Sequence, residues 1–564
     1  MSNLGVRILY GLMNEMDGVW CERVFAPWGD MEEEMRREGI PLYGLESGDS
    51  IADFDLIGFS LGYEMAYTNV LNMLDLAGLP LRSGERTELS PIVVAGGTCA
   101  FNPEPLAPFV DLFVLGEGED VSVEIIQLYR QAREEGWGKE EFLTAAARIP
   151  GVYVPSLYEV SYHGDGTVAA VTPLEGAPAR VTKRIVQDFD KSYFPVKTIV
   201  PSTEIVHDRV MLELFRGCIR GCRFCQAGYV YRPVRSRSPE LLAQYGKAAC
   251  EDSGYQEMTL SSLSSTNYPC LLELCDDLLD YCAPRDIGLS LPSMRADTFS
   301  MNLMERLQRV RKGGLTFAPE AGTQRLRDAI NKNLREEDLL QSVRTAFTGG
   351  WNGVKLYFML GLPTETDEDV LGIADLARKV YFAWRECSPN KARGVRITVS
   401  TSWFVPKPNT AFQWDAQIPV EEYQRRVDLL RDALKRDKSI TYNWHDPQTS
   451  YLEAIFSRGD RRLADVLEWA WQHGAKFDSW SEYFDFQRWM DALAACGLDG
   501  DFYAHRERPR NEVFPWSRID PMVTPEFLWR ERELCYQSVT TPDCRTRCSG
   551  CGANRLLSGG VCNG

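Results

Sequence analysis

The stretch Gly217-Cys218-Ile219-Arg220-Gly221-Cys222-Arg223-Phe224-Cys225 decides the fold, and it directly follows the apolar run MLELF at 211–215. Its cysteines have the spacing C-x3-C-x2-C. With 16 cysteines in 564 residues, random placement would give this spacing about 0.01 times per chain. The apolar run predicts a strand, so we expect the thiols on the loop after it. Such a close group favours metal or cluster ligation over disulfide bonds.

Composition sets the class of protein around this loop. The chain has 44% hydrophobic and 25% charged residues and a net charge of −18. It has no apolar run long enough to span a membrane, and its first residues lack the pattern of a secretory signal. We therefore expect a cytoplasmic protein of three or four domains without a membrane partner. The negative charge argues against a protein that coats nucleic acid without sequence preference.

Outward from the cysteine loop, strand and helix patterns alternate over 201–436. The predicted strands are MLELFRG, EMTLSSLSS, IGLSLPSM, LTFAPE, VKLYFMLGLP and VRITVSTSWFVP. Six such βα units predict an open, partial (β/α)6 barrel.

The segments on either side of the predicted barrel have different sequence patterns. Residues 1–150 alternate the apolar runs VRILYG, LIGFSLGYE, PIVVAGG and LFVLGEGE with helical stretches, which predicts an α/β, Rossmann-like domain. Residues 151–200 predict a β-rich connector around the turn HGDG. Residues 437–564 predict a helical C-terminal region that ends in a cysteine-bearing tail.

Further motifs extend the cysteine pattern along the barrel. They are LSSLSSTNY (260–268), SLPSMR (290–295), TFAPEAGTQRLRDAIN (316–331), MLGLPTET (359–366) and FVPKPNTAFQW (404–414). Together with the cysteines and the aromatic Phe224, the chain resembles the radical S-adenosylmethionine superfamily, in particular an uncharacterised family with an N-terminal cobalamin-binding-like domain.

This resemblance implies a cofactor set. Cys218, Cys222 and Cys225 would hold a catalytic 4Fe-4S cluster whose fourth iron binds S-adenosylmethionine. Reductive cleavage would give a 5′-deoxyadenosyl radical that abstracts hydrogen from an unknown substrate, with electrons from a partner such as a flavodoxin or ferredoxin. The remaining cofactor-binding residues would be Phe224, Ser262, Ser264, Ser265, Arg295, Glu320, Leu360, Gly361 and Pro363. In this set the serines lie near the methionine amine, Glu320 near the ribose or amine, and 360–363 against the adenine.

Each of these features has a plainer interpretation. The three cysteines are also compatible with a zinc knuckle or with buried thiols. Glu320 precedes a helical pattern, where a carboxylate is stabilised by the helix dipole. The Gly361-Leu362-Pro363 sequence is also typical of a simple turn.

Arginine is concentrated around the cysteine loop. No acidic residue lies between Glu213 and Glu240, a segment that contains Arg216, Arg220, Arg223, Arg232, Arg235 and Arg237. These guanidinium groups either bind the cofactor carboxylate or an anionic substrate, or are solvated and pair with acidic surface elsewhere.

The tail repeats the C-x3-C-x2-C spacing. Cys544, Cys548 and Cys551 carry it, and Cys562 is available as a fourth ligand. The alternatives are a second iron-sulfur cluster, a structural zinc ion, or free thiols on a disordered tail.

The N-terminal domain raises the question of cobalamin. The D-x-H-x-x-G fingerprint that supplies histidine to cobalt is missing, because the first histidine is His163. Cobalamin would then bind without a histidine ligand. The glycines at 96–97 and 116–118 would either admit such a large ligand or form tight turns. In the family a strand precedes the sequence MSNLG, so we expect that this domain lacks its first strand.

Two other functions compete with the main one. A methyltransferase or methylthiotransferase that acts on RNA or protein is suggested by the second cysteine group and the basic stretch. A non-catalytic iron-sulfur scaffold or electron carrier would need only the cysteines.

Overall fold

The computed structural model describes residues 3–292 and 315–557. The chain divides into two compact units. The N-terminal unit comprises residues 5–186 and 451–522, and the central unit comprises mainly residues 187–450 and 523–564. Within the described ranges, every helix is too short or too polar to cross a membrane.

The helices, in chain order, are α1 (Leu4–Asn14), α2 (Gly29–Glu38), α3 (Tyr67–Leu76), α4 (Gly118–Glu135), α5 (Lys139–Ala146), α6 (Gln226–Val230), α7 (Pro239–Ser253), α8 (Leu271–Cys282), α9 (Gln324–Ala329), α10 (Glu336–Thr348), α11 (Asp367–Cys387), α12 (Val420–Leu434), α13 (Pro447–Arg458), α14 (Leu463–Gln472), α15 (Phe486–Ala495), α16 (Gly500–Ala504) and α17 (Pro525–Tyr536).

The strands, in chain order, are β1 (Leu56–Ser60), β2 (Ile92–Gly96), β3 (Leu112–Val114), β4 (Val152–Tyr153), β5 (Tyr158–Tyr162), β6 (Val168–Pro173), β7 (Val181–Thr182), β8 (Val210–Glu213), β9 (Phe215–Arg216), β10 (Arg235–Ser236), β11 (Glu257–Ser261), β12 (Gly288–Ser290), β13 (Leu315–Glu320), β14 (Gly353–Leu360), β15 (Arg396–Trp403), β16 (Ile440–Trp444) and β17 (Ile519–Asp520).

The N-terminal unit contains the expected Rossmann-like sheet. Strands β1, β2 and β3 are parallel, and β4 pairs antiparallel with β3. Helices α4 and α5 supply residues such as Ile125 and Phe142 to the buried core against this sheet. The expectation of a strand at VRILYG was wrong, because these residues belong to α1. Leu4, Ile8 and Leu12 recur every fourth residue, which is a helical rather than a strand period.

The glycine loops of this sheet are tight turns. Gly97 has φ of 99° and Gly116 has φ of 97°, in the left-handed region that favours glycine. A Cβ atom at Gly97 would collide with the carbonyl oxygen of Leu61, and one at Gly116 with that of Arg184. Both glycines are therefore required by close backbone contacts within the unit.

The segment after 150 contains an antiparallel hairpin, β5 and β6, around the HGDG turn. Strand β7 then pairs with β17, which comes from the far end of the sequence. Helix α14 likewise contacts α3 in the N-terminal unit. Residues 451–522 thus pack with residues 5–186, an association that the division into four consecutive segments did not include.

The central unit is built on parallel strands, and all six predicted strands are confirmed. One sheet has the order β12-β11-β8 and the other the order β13-β14-β15-β16. On β14 buried and half-buried residues alternate, with Leu356, Phe358 and Leu360 buried. Strand β16 was not predicted, because its sequence ITYNW is largely exposed and lacks an apolar run.

Candidate active site

The cysteine loop connects β9 to α6. Strand β9 pairs antiparallel with β10, so the chain returns beside its own start. Gly217 has φ of 84°, and a Cβ atom there would lie 2.7 Å from the carbonyl oxygen of Pro233. The residue before Cys218 must therefore be glycine for the loop to close in this way.

The three thiols interact at the end of this loop. None forms a disulfide bond. Cys225 caps α6, because its Sγ accepts a hydrogen bond from the Gly228 N–H at 3.4 Å. Burial raises the pKa of the Cys225 thiol to about 12, with Cys222 and Cys218 adding to the rise. A bound cationic centre would offset this cost, because metal ligation stabilises the thiolate.

The donor set fits an iron-sulfur cluster. In residues 3–292 and 315–557, no three His, Cys, Asp or Glu side chains are arranged to hold a single metal ion. A cluster makes a different demand, because its thiolates bind separate irons. Three uncombined thiols on one short loop, with an N–H donor to Cys225 Sγ, meet that demand.

Buried arginines support the loop from inside. The Arg223 side chain is fully buried; it donates to the carbonyl of Ala329 at 2.6 Å and forms an ion pair with Glu531 at 3.2 Å. Arg232 donates to the carbonyls of Arg220 at 2.7 Å and Gly228 at 2.8 Å. Of the two alternatives for the six arginines, the solvated one was wrong for Arg223, Arg232, Arg235 and Arg237, because all four are buried.

Glu320 and Lys332 meet beside the cysteine loop. Lys332 Nζ lies 3.0 Å from Glu320 Oε1 and 6.0 Å from the centroid of the Phe224 ring, and its charge opposes the raised pKa of Cys225. Glu320 lies at a β-bulge at the end of β13 and has φ of 68°. A non-glycine residue in this region is strained, which is typical of functional positions.

The serine loop follows β11. Ser264 and Ser265 are buried. Ser262 donates to Ser265 Oγ at 3.1 Å, and Ser262 Oγ accepts from the Ser264 N–H at 3.2 Å. Arg220 of the cysteine loop donates to Asn267 Oδ1 at 3.3 Å. This contact joins the serine loop to the cysteine loop.

The turn at 360–363 follows β14. Its glycine, Gly361, has φ of 90° and donates its N–H to Glu365 Oε2 at 2.7 Å. Glu365 is buried and forms an ion pair with Arg426. Leu362 belongs to the apolar cluster against which Phe224 and Met359 also pack. The turn is thus fixed by its own buried ion pair and lies next to Phe224.

Two of the predicted site residues, Arg295 and Cys562, lie outside the described residues. The remaining tail cysteines differ in burial: Cys544 is half-buried, Cys548 exposed and Cys551 buried. The backbone N–H of Cys544 donates to the carbonyl of Ile219 at 3.1 Å. The tail therefore contacts the cysteine loop itself.

Sequence reasoning did not single out Lys332 and Glu365, and it gave Arg232 only as one of six arginines around the cysteine loop. All three contact the predicted residues. They carry no local periodicity and follow no recognisable spacing from the cysteines. The motifs TFAPEAGTQRLRDAIN and MLGLPTET end immediately before Lys332 and just after Glu365, so their immediate neighbourhood was the available signal.

Family models match both units. A model described as radical SAM proteins, N-terminal, matches residues 5–155, and one described as the radical SAM superfamily matches residues 212–377. An uncharacterized protein of Methanocaldococcus jannaschii is 30% identical over 439 residues, which cover 76% of this chain and 84% of that protein.

Two further similarities indicate the range of the family. The anaerobic magnesium-protoporphyrin IX monomethyl ester cyclase of Rubrivivax gelatinosus is 25% identical over 52% of this chain and 48% of that enzyme. The radical S-adenosylmethionine methyltransferase TsrM of Kitasatospora setae, solved with cobalamin and a 4Fe-4S cluster, has a TM-score of 0.50 at 12% identity, covering 88% of this chain and 97% of that one. The second similarity is one of fold.

Proposed function

Because the chain belongs to the radical S-adenosylmethionine superfamily, we propose that Cys218, Cys222 and Cys225 hold its 4Fe-4S cluster and that neighbouring strand ends bind S-adenosylmethionine. The chain is an enzyme of this superfamily. The single observation that carries the assignment is the Lys332–Glu320 ion pair, in which Lys332 Nζ lies 6.0 Å from the centroid of the Phe224 ring on the cysteine loop.

Four loops contribute to this site. Three follow the carboxyl ends of the parallel strands β11, β13 and β14, and the cysteine loop follows the parallel strand β8 and the short strand β9, which pairs antiparallel with β10. Loops at the carboxyl ends of parallel strands face the same side of a sheet, where α/β enzymes bind their ligands. The Arg220–Asn267 hydrogen bond joins the cysteine loop to the serine loop after β11. Phe224 of the cysteine loop packs against the apolar cluster that contains Leu362, in the turn after β14.

A 4Fe-4S cluster held by Cys218, Cys222 and Cys225 would supply the electron for reductive cleavage of S-adenosylmethionine, and this chemistry would give methionine and a 5′-deoxyadenosyl radical for hydrogen abstraction from a substrate. The protein residues have simpler tasks. Glu320 accepts hydrogen bonds from the amine or the ribose of S-adenosylmethionine. Lys332 donates a hydrogen bond to the Glu320 carboxylate and so holds that carboxylate in place. Ser262 offers its hydroxyl to the methionine end.

An apolar wall protects this chemistry. Leu362, Phe404 and Phe412 are buried in one cluster, with Phe224 and Met359 packed against it. Such a wall excludes water and unwanted hydrogen donors from the radical. The backbone of 360–363 offers the adenine an apolar edge held by Glu365.

The test is anaerobic. The full chain is reconstituted with iron and sulfide, reduced with dithionite and given S-adenosylmethionine, and 5′-deoxyadenosine and methionine are quantified. We expect both products from the wild type and from Cys270→Ala, whose thiol lies outside both cysteine groups, and none from Cys222→Ala. Equal product from Cys222→Ala would refute the assignment. Absence of both products from a wild type with a full cluster would favour the non-catalytic scaffold.

Methyl transfer with cobalamin is the second candidate. It is supported by the fold similarity to TsrM over 88% of this chain and by the parallel sheet of the N-terminal unit. Because no histidine precedes His163, residues 5–162 would supply no histidine ligand to cobalt, and the histidines of the N-terminal unit are His163, His473 and His505. The test is the absorption spectrum of the chain after incubation with hydroxocobalamin and gel filtration. If cobalamin does not elute with the protein, methyl transfer with cobalamin is excluded.

RNA or protein remains the proposed substrate class for methyl or methylthio transfer. The support is the second cysteine group. The six arginines have internal roles, because four are buried and Arg216 and Arg220 form ion pairs with Glu213 and Asp543. The measurement is the mass of RNA and protein fractions from cells with and without the enzyme. A gain of 14 mass units per site would indicate methylation, about 46 would indicate methylthiolation, and unchanged masses in both fractions would exclude these substrates.

A further inference from the structure

The second cysteine group lies against the first. The Cys544 backbone N–H donates to the Ile219 carbonyl at 3.1 Å, between Cys218 and Cys222 in sequence. Asp543 forms an ion pair with Arg220 at 3.4 Å. A small pocket is lined by Cys218, Cys544 and Cys551, together with Arg232 and the neighbouring residues Pro233, Val234 and Ala553. Thiols from both groups therefore border one space.

A buried guanidinium lies between the groups. Arg232 is 3% exposed and bonds to carbonyls of the cysteine loop and α6. Its charge interacts with Cys551 and Cys544, and its side chain hydrogen-bonds with Cys551. A cation in this position stabilises thiolates on the tail side of the pocket.

The tail backbone is fixed before any ligand binds. The Thr524 N–H donates to the Cys551 carbonyl at 3.0 Å, and Arg530 donates to the Ser549 carbonyl at 2.6 Å. Thr541 bonds to the buried Glu531 at 2.9 Å and, through its N–H, to Asn331 Oδ1 at 2.8 Å. A preorganised backbone of this kind is typical of ligand-binding sites.

The tail cysteines differ in burial, so one end of the group lies inside the protein and the other at its surface. Cys551 is buried and lines the pocket with Cys218, whereas Cys548 is exposed. The exposed positions around Cys548 include Arg545 and Arg547. The surface end of the group is thus basic in a chain with a net charge of −18, which suits an acidic partner protein.

We propose that Cys544, Cys548 and Cys551 bind a second 4Fe-4S cluster, through which an acidic flavin or iron-sulfur protein delivers electrons to the first cluster. This inference rests on the proposed function. One electron passes from the reduced donor to the second cluster and from there to the first, which returns the second cluster to its oxidised state. A single zinc ion is the competing occupant, and it requires a closed set of four ligands.

Metal content is the first test. We expect about eight irons and eight sulfides per reconstituted wild-type chain and about half of each in the triple variant C544A/C548A/C551A. The control C270A/C387A/C496A removes three half-buried thiols outside both groups and should keep the full content. About four irons in both the wild type and the tail variant, or one zinc lost from the tail variant in place of iron, would overturn the proposal.

The complementary variant C218A/C222A/C225A keeps the tail intact, so it tests the proposal even if the tail variant does not fold. It should retain about four irons and an electron paramagnetic resonance signal that S-adenosylmethionine does not change. Loss of all iron from this variant would refute a tail cluster. Failure of the proposed function appears differently, as a wild-type signal that is insensitive to S-adenosylmethionine.

Electron entry is tested by the reduction rate of the first cluster. With reduced flavodoxin, the tail variant should be reduced at least about tenfold more slowly than the wild type, and Arg547→Glu should show a smaller slowing that high salt removes. With photoreduced deazaflavin, a small reductant, all three proteins should react alike. Equal rates with flavodoxin would refute the relay.

Discussion

Cys218, Cys222 and Cys225 lie on a loop after β8 and β9, whereas Cys544, Cys548 and Cys551 have the same spacing on a tail that contains no strand in its described residues, up to 557. The first group is surrounded by residues from other strand ends, among them Lys332 and Glu320. The second group borders the same pocket but has an exposed member. Equal spacing therefore indicates the same ligand chemistry, and the surroundings decide which group faces substrate.

The largest expected effect is the difference in 5′-deoxyadenosine formation between a variant of one cysteine in the first group and a variant of one cysteine in the second. Cys222→Ser should abolish 5′-deoxyadenosine formation, by at least about 1000-fold, because the first cluster loses a ligand. Cys548→Ser should keep at least about a third of the rate with dithionite, which reaches the first cluster directly. The measurement is the initial rate at equal protein concentration, and similar losses for both variants would remove the distinction between the groups.

Arg223 connects the two regions and should have the next largest effect. It lies in the first group's sequence and pairs with Glu531, which bonds to Thr541 at the start of the tail. Arg223→Met leaves a buried carboxylate without its cation and should lower the free energy of unfolding by about 3–5 kcal/mol.

The double variant R223M/E531L removes both charges and should recover part of that loss in urea unfolding. Arg425→Met is the matched control, because Arg425 pairs with Asp367 at the surface. Its cost should be below about 1 kcal/mol. An equal cost for Arg223→Met and Arg425→Met would show that the link to the tail contributes nothing special.

A variant of Lys332 tests whether the residues around the first cysteine group give it a role that the second group lacks. Lys332→Met removes the ion pair with Glu320 and the cation near Cys225, and it should lower S-adenosylmethionine cleavage by about 10–100-fold. A weaker affinity for S-adenosylmethionine should accompany this loss. Lys247→Met, which breaks a pair with Asp277 on a different helix, should change neither quantity. An unchanged affinity in Lys332→Met would mean that Glu320 is not a ligand contact.

Six of the parallel strands of the central unit and the cysteine loop followed from sequence because apolar runs and close cysteines are local signals. The helix at VRILYG and strand β16 were missed because one has a short ambiguous period and the other lies exposed at a sheet edge. The packing of 451–522 with the N-terminal unit, and the contacts of Arg223 with Glu531 and of Lys332 with Glu320, join residues far apart in sequence. Amino-acid composition and motif spacing do not predict such long-range contacts.

The smallest effect is expected at the turn after β14. Gly361 has φ of 90°, and a Cβ atom there would lie 2.9 Å from the Ile418 side chain. Gly254, which ends α7 with φ of 71°, has open space around it. Alanine at either position should cost about 1–2 kcal/mol of backbone strain, and the contact with Ile418 adds a steric cost at Gly361 alone. Only Gly361→Ala should also displace the turn and weaken S-adenosylmethionine binding, by about threefold to tenfold in a titration with the reduced enzyme. Equal affinities in both variants would show that 360–363 does not contact the adenine, and the apolar edge would then belong to the core alone.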